Sequence, residues 1–137
     1  MNLLDKAKTF WRERASFSEI TRHSQPSFSQ FGEDLVLQIL LQPGREGTYV
    51  DVGANHPIKG SNTFRLYLRG WNGLAIDPNP SFASEFKKFR PRDRYLTEGV
   101  ALERSTLTYH AFEDDVYNTF DPSVVSKLLD EGHSLRA

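Results

Sequence analysis

Residues 47–57 read "GTYVDVGANHP". The run opens as a strand, with β-branched and aromatic residues in sequence, and then breaks into the glycine, asparagine and proline that turn a chain. An acid, Asp51, stands between two valines, where burial favours apolar side chains. A carboxylate at the end of a strand that runs into a glycine loop points to a ligand. Its structural alternative is to hold the amides of that loop.

Working outward, the helix and strand signals alternate. "SNTFRLYLRGW" (61–71) places Phe64, Tyr67, Leu68 and Trp71 on one helix face, with Ser61 or Asn62 as cap and Gly70 as stop. "GLAID" (73–77) is a second apolar strand closed by Asp77. "NPSFASEFKKFRP" (79–91) is a second helix with Asn79 as cap and Pro80 at the first helical position. Phe82, Phe86 and Phe89 share its face, and Pro91 stops it. "RYLTEGVAL" (94–102) predicts a third strand, and the alternating "TLTYHAF" (106–112) its antiparallel hairpin partner. Upstream, "QFGEDLVLQILLQPG" (30–44) predicts a short, deeply buried helix with Glu33 and Asp34 in its first turn. Downstream, "DPSVVSKLLDEG" (121–132) predicts a helix from Asp121-Pro122 to Gly132.

The chain of 137 residues is one domain's worth. With 17 basic against 18 acidic residues it lacks the cationic surplus of a general nucleic-acid binder. The absence of cysteine excludes a disulfide framework, a thiolate zinc site and a cysteine nucleophile, and no metal site is expected. "MNLLDKAKTFWRERASF" is cut by charges and reads as neither signal peptide nor membrane span, so a cytoplasmic chain is expected. Leu3, Leu4, Ala7, Phe10 and Trp11 recur at helical spacing. They predict a packing or oligomer helix, with peripheral membrane contact as the alternative. The polar stretch 18–29 connects it onward, dividing the chain into an N-terminal helix and linker (1–27) and a folded domain (28–137).

Parallel strands with crossover helices bind ligands in the crevice beyond the strands' carboxyl ends. Asp51 lies near the end of the first strand, with Gly53, Ala54 and Asn55 after it, and Asp77, followed by Pro78 and Asn79, ends the second. An acid in Asp77's place accepts hydrogen bonds from both hydroxyls of a ribose, although Asp77-Pro78 also suits a turn that caps the next helix. The dinucleotide pattern G-x-G-x-x-G is absent, since Asn55, His56 and Pro57 occupy its later positions, so a nicotinamide-dependent oxidoreductase is a distant alternative. S-adenosyl-L-methionine fits better, having a ribose, no phosphate, and cationic ammonium and sulfonium groups that suit an acid. His56 is a weak general-base candidate, its structural alternative being a loop residue before proline. Asp114-Asp115 reads as a solvated turn.

Together "SQFGEDLVL", "YVDVGANHP", "SNTFRLYLRGWNGLAIDPNP" and "NTFDP" resemble the FkbM-type methyltransferases, a branch of the class I S-adenosylmethionine-dependent enzymes, over approximately residues 28–121. The resemblance implies an α/β, Rossmann-like methyltransferase fold, here partial: three parallel strands with crossover helices and an antiparallel hairpin strand. It assigns Asp51, Gly53, Ala54 and Asn55 to the amino-acid side of the cofactor and Asp77 to its ribose. Pro78 and Asn79 fall beside the adenosine, and Glu98, Gly99 and Val100 near the adenine. It implies O-methylation of a small-molecule or glycan hydroxyl, on a sugar or natural-product scaffold. Gln30, Glu33 and Asp34 match an N-terminal motif bordering the pocket, with helix capping as the other account of the two acids. Asn118-Thr119 matches a motif of underived role.

The family's next strand, ending in an acidic "D-V-E-G" type sequence, has no counterpart after Asp121. The expectation is a truncated half with an open first-strand edge, inactive or poorly active alone. Its expected partners are a complementing C-terminal half or a second copy. A non-catalytic remnant acting as an interaction module is the alternative.

Overall fold

The computed structural model describes residues 24–41 and 46–136, together with Asp5, Lys8 and Arg22 as single positions. The expected helix through Leu3, Leu4, Ala7, Phe10 and Trp11 lies outside the described residues. Strands β1 (Thr48–Val52), β2 (Asn72–Ile76) and β3 (Arg94–Leu96) pair in parallel in the order β1-β2-β3. Helix α1 (Glu33–Leu40) precedes β1, and α2 (Phe64–Leu68) joins β1 to β2. A 3-10 turn (Pro80–Phe82) running into α3 (Ala83–Phe89) joins β2 to β3. The expected alternation of helices with parallel strands is therefore present, in a mixed α/β arrangement. A second 3-10 turn (Asp115–Tyr117) and α4 (Pro122–Asp130) follow.

The capping signals act where the sequence places them. Asn79 Oδ1 accepts the Ser81 N–H at 3.1 Å, with Pro80 next to it at the first helical position. Ser61 Oγ accepts the Phe64 N–H at 3.1 Å, and Gly70, at φ 95°, ends α2 in a backbone conformation that side chains resist. Asp121 Oδ1 accepts the Ser123 N–H at 2.8 Å and opens α4.

Register pairs Asp51 with Ala75 and Ala75 with Tyr95, so these three side chains share one face of the sheet. On that face Ala75, Phe82, Phe86 and Ala54 form the core, with Tyr95 packed against it and stacked on Phe86 at 4.7 Å. Val50, Val52, Leu74, Ile76 and Leu96 point the other way. A second small core joins Phe112 to Val125 and Leu128 of α4.

Four expectations are corrected. Helix α1 is not deeply buried: Asp34 is its one buried residue and Ile39 is 78% exposed, because α1 is tied to α2 by a buried ion pair while Val36, Ile39 and Leu40 look outward. Helix α2 buries Phe64, Leu66 and Tyr67 but leaves Leu68 exposed, since five residues are too few to carry the longer stripe. Phe89 is likewise exposed beside buried Phe82 and Phe86.

The hairpin partner of the third strand does not form. The strand ends at Leu96, and His110 pairs antiparallel with Thr119 instead. That short closure has little loop entropy to overcome, and Asn118 Oδ1 clamps it by accepting the Phe112 N–H at 2.7 Å. Among the described residues no helix is long and apolar enough to cross a membrane.

Candidate functional site

The loops at the carboxyl ends of the strands are tied to one another. After β1, Gly53 (φ 71°) swings the chain so that its N–H and that of Ala54 both donate to the Ile76 carbonyl, at 2.9 and 3.2 Å. Asn55 adopts a left-handed φ of 50°, a conformation asparagine tolerates, and its Oδ1 accepts the His56 N–H at 2.6 Å. After β2, the buried Asp77 carboxylate takes one N–H from each loop. Its Oδ2 accepts Asn55 N–H and its Oδ1 accepts Asn79 N–H, both at 2.9 Å. The Tyr95 hydroxyl supports the same loop from below, donating to the Asn79 carbonyl at 2.5 Å.

These loops surround a cavity of about 320 Å³, within the size range of small-molecule sites. Of the residues singled out in the sequence, Gly53, Asn55, Asp77, Pro78, Gly99 and Val100 line it together, with Glu98. Asn79, Ala54 and Asp51 are not among its lining residues. The Asn79 amide is consumed by the Ser81 cap and by donation to Asp115 Oδ1 at 2.8 Å. Ala54 is in the core.

Asp51 faces the helices and accepts the Thr63 hydroxyl at 2.5 Å. Burial pushes its carboxyl above the usual range, while the Thr63 bond and the charge of Arg90 pull it back. Thr63 in turn belongs to a network centred on the fully buried Arg90. That guanidinium donates to Asp93 Oδ2 (2.6 Å), Tyr49 Oη (2.8 Å), Thr63 Oγ1 (2.9 Å), Ser61 Oγ (3.2 Å) and the Pro57 carbonyl (3.3 Å). The structure therefore ties Asp51 to the Thr63 hydroxyl at the start of α2, while the loop amides of Asn55 and Asn79 go to Asp77, which lines the cavity.

His56 is engaged at both ring nitrogens. Nδ1 accepts the N–H groups of Ile58 (3.0 Å) and Lys59 (2.9 Å), and Nε2 lies 2.9 Å from Glu85 Oε2. An Nδ1 that accepts two amides places the ring proton on Nε2, so no lone pair is left to act as a general base. The geometry fits the loop residue before proline.

Of the N-terminal motif, Gln30 borders a second cavity that also includes Gly53, Asn55 and His56. Glu33 accepts the Phe31 N–H at 2.9 Å. Asp34 is a buried hub, accepting from Ser27 Oγ (2.6 Å), Ser29 Oγ (2.9 Å), Phe28 N–H (3.0 Å) and Arg65 Nε (2.9 Å). Burial alone would raise its pKa, but the Phe28 amide, Ser27, Arg65 and Ser29 outweigh it and hold the carboxyl well below its ordinary value.

Seven cavity residues carry no site role in the sequence: Val52, Ile76 and Val116, and the polar or aromatic Tyr109, Asp115, Asn118 and Phe120. Asp115 is not a solvated turn residue. Its Oδ1 accepts Asn79 Nδ2 (2.8 Å), Arg136 Nη2 (2.9 Å) and Asn118 Nδ2 (3.1 Å), joining the β2 loop to the segment after β3. Asn118 lies three residues on, but the other two partners, Asn79 and Arg136, are distant in sequence and leave no local pattern.

Asp77, Glu98 and Asp115 line the cavity and no lysine or arginine does, although Asp115 is ion-paired with Arg136 behind that wall at 2.9 Å. The acids that line it suit a ligand with hydroxyl donors or positive charge better than a phosphate. Among the described residues no group of three or more His, Asp or Glu is placed to hold a metal ion. The chain matches no family model, no curated protein and no solved structure.

Proposed function

We propose that the chain binds S-adenosyl-L-methionine beyond the carboxyl ends of β1, β2 and β3, as an FkbM-like class I methyltransferase acting on a hydroxyl of a sugar or natural-product scaffold. The observation that carries this reading is the cavity itself: Asp77 and Glu98 among its lining residues with no lysine or arginine, and the buried Asp77 pre-set between two strand-end loops. Each Asp77 oxygen accepts one backbone N–H and keeps capacity for a ribose hydroxyl. The left-handed conformation of Gly53, which side chains resist, turns bare backbone along the cavity wall. When bound, the cofactor supplies an electrophilic methyl group for the acceptor oxygen, and the protein's contribution is orientation and negative potential. The same acids disfavour a dinucleotide, whose pyrophosphate would meet Asp77 and Glu98.

Calorimetric titration with S-adenosylhomocysteine tests the reading. Micromolar binding to the wild-type chain, lost by tenfold or more in Asp77→Ala, is expected from a removed charge-assisted pair worth roughly 1.5–3 kcal/mol. No heat from the wild-type chain overturns it.

One observation favours a second reading, an interaction module. β1 is an edge strand among the described residues, and Val50 and Val52 lie exposed beside that edge. Concentration-dependent association without cofactor heat is its signature.

A further inference from the structure

The aromatic pair Tyr109 and Phe120 has no role in the fold described above. Neither belongs to a hydrophobic core cluster, and both are half-buried. They are brought together by the His110–Thr119 bridge, in which His110 N–H donates to the Thr119 carbonyl at 2.9 Å and Thr119 N–H to the His110 carbonyl at 3.1 Å. The flanking rings then stand 5.3 Å apart with a 50° tilt.

Their position is specific. Both rings line the Asp77 cavity, and both also border a larger cavity formed by the stretch 97–107. The pair is therefore a partition, with one side turned toward Asp77. Phe120 sits on the bare backbone of Gly99, where an added Cβ would come within 2.8 Å of the ring. Glycine at 99 is thus required by the aromatic wall, a reason not visible from the sequence around it. Burial, and then the negative charge of Asp77, pushes the Tyr109 phenol up to about 12, so it stays a protonated donor at neutral pH.

We propose that Tyr109 and Phe120 form the wall against which the heteroaromatic base of a bound nucleoside lies, with Asp77 at the ribose. The inference rests on the cofactor reading for the ligand's class and adds the element that recognises its base. A half-buried aromatic surface facing a cavity holds a planar base by stacking, and that contact serves any base-bearing ligand, with or without an amino-acid tail.

The test uses the 137-residue chain, titrated separately with S-adenosylhomocysteine and with adenosine, against Phe120→Leu and Tyr109→Leu. These substitutions keep apolar bulk and remove the aromatic face. Each is expected to weaken binding about 5- to 150-fold, by a similar factor for both ligands because both carry the same base. Circular dichroism and thermal melting report whether each variant folds. Independently of the variants, nuclear Overhauser contacts between adenine protons and the rings of Tyr109 or Phe120 are expected in the wild-type complex. Wild-type binding with both folded variants within twofold, or with no such ring contacts, overturns this inference and leaves the cofactor reading standing. A wild-type chain that binds neither ligand overturns both.

Discussion

On the helix-covered face of the sheet, β1 turns Asp51 toward Thr63 and Tyr49 toward a fully buried Arg90, whereas on the opposite face of the same strand Val50 and Val52 are 66% and 59% exposed. The usual partition of polar and apolar groups is thus inverted within five residues. The covered face tolerates charge because the groups around it are saturated. Arg90 meets five acceptor atoms, and Asp93 Oδ1 accepts from both the Tyr49 hydroxyl and the Gly73 amide, each at 2.9 Å. The other face keeps its valines because a parallel sheet is ordinarily covered on both sides and its strands carry apolar residues in both directions. What decides where a polar side chain sits here is the number of partners in reach, more than its distance from water.

That contrast orders three measurements. The largest effect is expected from Arg90→Met, which leaves the Asp93 carboxylate buried without its cation; a loss of about 3–5 kcal/mol in urea unfolding follows. A loss under 1 kcal/mol would show that the covered face does not depend on its charges.

A smaller effect of opposite sign is expected from Asp51→Asn. Burial raises the folded-state pKa of Asp51, so the stability linked to its protonated form is present below the unfolded value of about 3.9 and lost as pH rises through the folded value. An amide escapes that loss and can still accept the Thr63 hydroxyl. A gain of about 0.5–1 kcal/mol at pH 7, shrinking toward pH 4, is expected from thermal melts across that range. A variant less stable than wild type at every pH would reverse the assignment of Asp51 to a penalised charge. The smallest effect belongs to Val50→Thr on the open face. A change within about 0.5 kcal/mol is expected there, and a larger loss would mean that this face is covered in solution.

Much of the covered face was legible in the sequence. The Asn79-Pro80 cap, the Phe82 and Phe86 stripe, and the acids ending two strands are local patterns, and local patterns survive folding. Arg90 left no signal, because its acceptors come from Tyr49, Pro57, Ser61, Thr63 and Asp93, which only the fold assembles. The sequence overstates the depth of α1 because an apolar run gives hydrophobicity without direction, and Val36, Ile39 and Leu40 lie exposed while Asp34 is buried. The hairpin was misread because alternation fixes which residues face one way but not which strand pairs with them; the Asn118 clamp settled that in favour of Thr119. At the site, Asp77 and the Gly53–Asn55 turn were found from the sequence. The wall opposite them was not, since its aromatics belong to a pairing the alternation pointed elsewhere.

The strand order β1-β2-β3 is also the order of synthesis. Among the described residues β2 and β3 each emerge with the strand they pair with already made, separated by a short helical crossover, so this sheet can lengthen as the chain leaves the ribosome. The Asp77 carboxylate, which accepts amides from Asn55 and Asn79, is then fastened as soon as the second loop appears. The Asp77 side of the crevice is in place before the segment carrying Tyr109 and Phe120 has been translated.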